Sequence, residues 1–224
     1  MSDLPQSAPD LEQIYKERFA GSLAYRQQVW RVLTSAMFSK WVSPASTVLD
    51  LGCGYCEFIN HIHARKKYGM DLNPDAARNA AADVTIIEQD CSQAWPIARD
   101  SLDVVFTSNF FEHLPTKTHL ERTLQQVWLS LKPGGALIAM GPNIKCVPGA
   151  YWDFYDHHIA LTESSLAEVL RKCNFVMEKV TSRFLPYTMS GGKTYPVWML
   201  RVYLNAPIVW RLFGKQFLIV ARKP

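Results

Sequence analysis

The stretch Val48-Leu-Asp-Leu-Gly-Cys-Gly-Tyr-Cys-Glu-Phe-Ile59, VLDLGCGYCEFI, decides the reading of this chain. Val48–Leu51 is an apolar strand run, a helical run starts near Glu57, and Gly52-Cys53-Gly54 lies between them. Glycines at such a junction let a ligand approach the backbone, and the free N–H groups of the helix start face it. A dinucleotide-binding loop reads G-x-G-x-x-G and seats the pyrophosphate on the helix N-terminus. Counted from Gly52, its third glycine would fall at 57, where Glu57 stands. A side chain and a negative charge then occupy the place of two phosphates. Asp50, just before the glycines, adds a carboxylate that suits a ligand with a cationic amino group. S-adenosylmethionine (SAM) has an ammonium, a sulfonium and no phosphate, so the loop accepts it and refuses NAD or FAD.

Outward from the loop, short β-rich runs alternate with helical ones. Strands are expected at 47–51, 67–72, 84–89, 102–107 and 136–140, then at 175–184 and 216–221. Helices are expected from about 57, after Pro74, near 118–131, and from Thr162 to Cys173. Thr118-x-x-Glu121 reads as a capping box, and Lys132-Pro-Gly-Gly135 as the stop of that helix. Apolar strands alternating with helices imply a parallel sheet covered on both faces, an α/β fold. Residues 11–41 read as one or two helices, since Trp30, Leu33, Met37 and Trp41 recur at helical spacing. Residues 1–10 are polar and expected to be disordered. The division expected is a helical lid over 1–43 and a ligand-binding domain over 44–224, with an insertion at about 187–214.

The chain has 224 residues, 48% of them hydrophobic, and a formal net charge of +4. That is enough for one domain with a sizeable core, and too weakly basic for a nucleic-acid footprint. Arg65-Lys66-Lys67 reads as a solvated surface. The N-terminus lacks the basic and apolar regions of a secretory signal, and the five cysteines form no disulfide framework. Both point to the cytoplasm.

VLDLGCGYCEF resembles the first motif, D/E-x-G-x-G-x-G, of the class I SAM-dependent methyltransferases, especially the branch acting on small molecules and lipids. The resemblance covers about residues 45–220 and implies a doubly wound, mostly parallel seven-stranded Rossmann-like sheet. N-terminal helices and a helical insertion before the last strand complete it. Cys56 stands where the family has its third glycine, and is expected at helical angles with little harm. YGMDLN resembles the second-strand motif, which implies that Asp71, with Leu72 beside it, holds the ribose hydroxyls. Asp71 lies nineteen residues after Gly52, which agrees with the general spacing for a ribose-binding carboxylate. VTIIEQDCS implies that Asp90 and Cys91 hold the adenine amino group. LDVVFTSNFFEHL implies that the backbone near Asn109 and Phe110 passes under the methionine moiety. LKPGGALIAMGPN looks like the turn into strand five. The cofactor residues expected are therefore Asp50, Gly52, Cys53, Gly54, Asp71, Leu72, Asp90, Cys91, Asn109 and Phe110.

Two histidines are candidate catalytic groups. His157 lies in GAYWDFYDHHIALT, between strand five and the next helix, and is either a general base or a residue bonded to the helix cap. His113, in FEHL, is either a second base or packs against the lid. Tyr151, Trp152, Phe154 and Tyr155 either stack on the acceptor or roof the site. Tyr15 and Phe19 resemble the family's N-terminal lid residues. Cys53-x-x-Cys56 with His61-x-His63 imitates a zinc set, but histidines two apart on a helix point about 200° apart, so no metal is expected.

Residues 195–213 are long and apolar, but Arg201, Asn205, Pro207 and Arg211 interrupt them, which argues against a membrane span. Two helices are expected, with Pro207 near the start of the second. They serve as a substrate-pocket cap, a membrane-interface patch or a dimer face, and Gly191-Gly192 would permit a hinge. The expected activity is methyl transfer from SAM to a hydroxyl or other nucleophile of a small-molecule, sugar or lipid-linked acceptor, by a monomer or homodimer. Ser108-Asn-Phe-Phe111 stands where an Asn/Asp-Pro-Pro-Tyr motif would, which, with the weak positive charge, argues against methylation of adenine in DNA. Two rival readings are a SAM-binding enzyme of other chemistry and a non-catalytic interaction protein on the same fold.

Overall fold

The computed structural model describes residues 23–187 and 194–224. Tyr15, Phe19, the 1–10 segment and the Gly191-Gly192 hinge lie outside the described residues. Seven strands form one sheet: β1 (Thr47–Leu51), β2 (Lys66–Asp71), β3 (Val84–Glu88), β4 (Leu102–Ser108), β5 (Leu131–Pro142), β6 (Val176–Thr181) and β7 (Gln216–Arg222). Their order is β3-β2-β1-β4-β5-β7-β6. Pairings from β3 through β5 are parallel, and β7 runs antiparallel to both β5 and β6. The expected mostly parallel seven-stranded sheet is found.

The period-2 alternation of each strand divides the core in two. Leu49, Leu51, Val105 and Ile219 face one layer, which α4 (Lys117–Ser130) and α5 (Glu163–Lys172) cover through Leu124, Val127, Leu166 and Leu170. Val48, Phe106 and Leu218 face the other, covered by α1 (Leu23–Ala36), α2 (Glu57–His61), α3 (Asp75–Asn79), α6 (Val197–Leu204) and α7 (Pro207–Phe213). There Phe58 stacks on Phe106 at 3.7 Å between centroids, with Phe38 edge-on to both. Every residue of central β1 is buried, whereas outermost β6 alternates exposed and half-buried.

Helix α4 departs from the expectation at both ends. The cap of α4 is Thr116, whose hydroxyl accepts from the His119 N–H, and not Thr118, which lies within the first turn. The helix then stops at Ser130, and Leu131 already pairs with Leu102, so Pro-Gly-Gly belongs to the start of β5. Thr162 caps α5 as expected, in a reciprocal box with Ser165. Pro207 opens α7. No helix among the described residues is long and apolar enough to cross a membrane.

Candidate active site

The loop after β1 sits between β2 and β4, at the carboxyl end of the parallel strands where open α/β sheets bind ligands. Three of its residues take positive φ at alternate positions: Gly52 at 71°, Gly54 at 49° and Cys56 at 60°. Cys56 therefore does not adopt helical angles. It occupies the left-handed region, where a non-glycine residue is strained by about 1–2 kcal/mol. Its thiol, fully buried and 3.4 Å from the Ala76 carbonyl, supplies packing in return.

Gly52 has a second constraint. A Cβ there would lie 2.2 Å from Cγ of Phe110, so the ring packs directly on the glycine backbone. Asn109, just before it, also has positive φ (50°), and its N–H donates to the Met140 carbonyl at 2.9 Å. The loops after β1 and β4 thus interlock. The Gly54 N–H donates to Asp71 Oδ2 at 2.8 Å, and the Asn73 N–H to Oδ1 at 2.9 Å. Each oxygen retains a lone pair for a further donor. Leu72 beside it is exposed. Asp90 is half-buried; burial alone would raise its pKa, but hydrogen bonds from Ser92 and Gln93 hold it below the ordinary range. The Cys91 side chain turns into the core against Thr123 Oγ1, 3.2 Å away, and burial pushes its thiol up to about 12.

Negative charge is concentrated under the loop. Asp50 is 3% exposed and has no ion pair among the described residues. Burial, then the charges of Glu57 and Asp71, push its carboxyl well above the usual range. Glu57 is also buried, but Arg26 of α1 pairs with it at 2.7 Å. The objection to pyrophosphate at this helix start is therefore mainly steric, because Arg26 offsets much of the Glu57 charge. Asn109 Oδ1 is a buried acceptor with no hydrogen-bond partner among the described residues. A buried carboxylate without a cation in β1 and an orphaned acceptor in the loop that interlocks with it suit a cationic, hydrogen-bond-donating group such as an α-ammonium.

The two histidines, 44 positions apart in sequence, meet with ring centroids 4.8 Å apart, edge to face. His113 lies in a short 3₁₀ turn after β4, and its Nδ1 lies 3.1 Å from Asp156 Oδ2 and 3.0 Å from the Asp156 carbonyl. His157 is buried against Tyr151 and Phe154, at 4.8 and 5.1 Å. The carbonyl of Glu112 accepts from His158 and Ile159, pinning this loop to the end of β4. Trp152 and Tyr155 are exposed, so only Tyr151 and Phe154 build this wall. Burial alone would lower the His113 pKa, but the Asp156 bond and the Glu112 and Asp156 charges hold it above the ordinary value. The Asp71 carboxylate also lies within electrostatic reach of His113, linking the cluster to the loop.

Residues 49–139 match the methyltransferase-domain family. That stretch is similar to a methyltransferase domain. SAM is the cofactor such a domain takes, and Rossmann-like is its fold. The chain is similar over 99% of its length to a chain of the complex between the Haloferax volcanii Trm112 methyltransferase activator and its methyltransferase, at 18% identity, 100% coverage of that chain and a TM-score of 0.70. A SAM-dependent methyltransferase from Archaeoglobus fulgidus gives 20% identity, 95% and 99% coverage and a TM-score of 0.67. One from Thermotoga maritima gives 18%, 95% and 99%, and 0.65. These likenesses establish the fold. No curated protein matches the chain.

Two residues of the candidate site escaped sequence reasoning. Glu112 is the one acid in the apolar run FFEHL, a signal that its neighbour His113 obscured. Arg26 carries no local signal, because its partner Glu57 is distant in sequence. Ligand-capable atoms of Glu112, His113 and His157 lie within 4.8 Å of one another, a group that could hold a metal ion. Two ligands of one zinc, each about 2.1 Å from it, stand roughly 3.4 Å apart, so this spread is wide for direct ligation. Cys53 and Cys56 are 3.9 Å apart at sulfur, and neither His61 nor His63 joins them in a metal-binding group among the described residues.

Burial raises the Glu112 carboxyl from 4.5 to about 7. The stability it confers is complete below the unfolded value and is lost as pH climbs through about 7. Relative to wild type, E112Q should therefore gain about 1.4 kcal/mol per pH unit across that window, on the order of 3 kcal/mol in all. Urea unfolding of both proteins at acid and at mildly alkaline pH checks this; a pH-independent difference would contradict it.

Proposed function

We propose that this methyltransferase transfers a methyl group from SAM to a hydroxyl, or another nucleophile that must lose a proton, on a small-molecule, sugar or lipid-linked acceptor. In this reading Asp50 and Asn109 hold the ammonium, Asp71 the ribose and Asp90 the adenine. Gly52, Cys53, Gly54 and Phe110 line the methionine moiety, with Leu72 and Cys91 flanking the nucleoside. SAM supplies a methyl carbon already activated by its sulfonium. The protein's task is then to align the acceptor, exclude water and remove a proton.

The observation that carries the reading is the Asp156–His113–His157 constellation. A base oriented by a carboxylate on Nδ1 presents its other nitrogen to the acceptor. His113 is the better base, because it is less buried than His157 and lies toward Asp71. His157 positions it by edge-to-face packing.

The test is methyl transfer from labelled SAM to a panel of phenols, sugars and lipid-linked glycans, together with calorimetric SAM binding. H113A should lower kcat about 10²- to 10⁴-fold, with SAM affinity unchanged and the acid limb of the pH–rate profile removed. H157A should give a smaller loss. Full turnover by H113A would refute the base, and no heat with millimolar SAM would refute the whole reading in favour of a non-catalytic role. A metal-dependent variant of the reaction would be revealed by loss of turnover on chelation.

A further inference from the structure

After Glu178 the chain carries eight lysines and arginines and no aspartate or glutamate, whereas the whole chain has 24 basic and 20 acidic residues. Everything before that point is therefore net acidic, and the positive charge of the protein is gathered at its C-terminal part. That part contains α6 and α7. Their inner side is buried: Trp210 packs edge-on to Phe184 at 5.0 Å, its Nε1 donates to the Tyr203 carbonyl, and the Tyr203 hydroxyl donates to the Phe184 carbonyl. Their outer side is apolar and open, with Trp198 65% exposed, Ile208 75% and Leu212 71%. Val202 and Phe213 extend it. Arg201 and Arg211 are exposed on the same two helices, and Lys215 is exposed just after α7.

An outer helix face in water ordinarily mixes acids and bases and hides its tryptophans. This one exposes aromatic and aliphatic side chains among cations only. Aromatic and aliphatic side chains partition into the headgroup and acyl boundary of a bilayer, and arginines and lysines meet anionic headgroups. Charge also selects the occupant: a second copy applied by two-fold symmetry would set this cationic face against itself. We propose that the α6–α7 face docks the protein on an anionic lipid surface.

The docking face and the crevice are joined. The insertion leaves the sheet at the end of β6 and returns at Gln216, which pairs with Pro142 at the carboxyl end of β5. That is the end of the sheet bearing the glycine loop. Helix α6 packs on α1, where the Tyr25 hydroxyl accepts from the Tyr195 N–H at 3.2 Å, and α1 holds the loop helix through Arg26 and Glu57. Docking brings the mouth of the site to the lipid boundary.

The test is co-flotation of the full-length protein with vesicles of phosphatidylcholine alone or mixed with phosphatidylglycerol, alongside tryptophan emission. Binding and a blue shift are expected only with phosphatidylglycerol, and both should fade as salt is raised. R201E/R211E and I208S/L212S should each weaken binding by roughly tenfold or more, with melting temperature and SAM affinity retained. If either variant fails to fold, the dependence of the wild type on phosphatidylglycerol content and salt decides. Three results would overturn the proposal. These are no association with anionic vesicles, equal association with neutral ones, and a stable dimer that I208S/L212S dissociates.

Discussion

Gly52→Ala should cost the protein its SAM affinity by at least about a hundredfold, or ~3 kcal/mol. Two effects act together. The backbone at Gly52 has φ 71°, where an alanine is strained. Its methyl would also fall 2.2 Å from the Phe110 ring, and Phe110 follows Asn109, itself held at positive φ. Relief requires moving the loop after β4, which carries one wall of the crevice and leads within three residues to His113. The lost affinity should therefore be accompanied by lost turnover at saturating SAM. Calorimetry and labelled methyl transfer measure the two. Affinity within threefold of wild type would show that Phe110 gives way freely, and that the interlocked loops do not set the crevice.

Asp50→Asn should separate binding from stability. In the ligand-free protein the Asp50 carboxyl is held well above its ordinary range by burial and by Glu57 and Asp71. A raised folded-state value means that its stabilisation is complete below the unfolded value and is lost as pH rises. At neutral pH an uncharged isostere removes that loss, so D50N should melt higher than wild type, and the gain should vanish in acid. SAM binding should move the other way. Truncating one side of a buried charge pair costs about 2–5 kcal/mol, or roughly 30- to 4000-fold in affinity. A variant that is more stable yet nearly unable to bind is the expected outcome, an example of stability given up for function. If D50N melted lower at neutral pH, the carboxyl would have a partner that offsets its burial. If it bound SAM like wild type, the ammonium would be held elsewhere.

Much of the fold was legible in one dimension because its signals are local. Strands β1 and β4 are short, largely apolar runs that end at Gly52 and Asn109, and α5 announces itself through Thr162. The cap of α4 lies two residues before the expected one because Thr118-x-x-Glu121 fits the capping-box pattern, whereas the actual cap, Thr116, has His119 at that third position and only backbone geometry reveals it. Cys56 misled for a related reason. Sequence records a small residue at a motif glycine, but not the φ of 60° that the turn imposes.

The site divides along the same line. The expected positions Asp50, Gly52, Gly54, Asp71 and Asp90 came from motif resemblance, and each lies within three residues of the end of β1, β2 or β3. The meeting of His113 with His157, the orienting bond from Asp156 and the pairing of Arg26 with Glu57 did not. Those contacts join residues far apart along the chain, and no local pattern encodes them. The sequence by itself determined the alternation of strand and helix and the position of the glycine loop, because each rests on steric and periodic rules within a few residues. Only the tertiary structure decided which charges are neutralised, which histidine has a carboxylate behind it and which apolar helix face is left open. Burial and distance set those properties, and both arise when the sheet brings remote segments together.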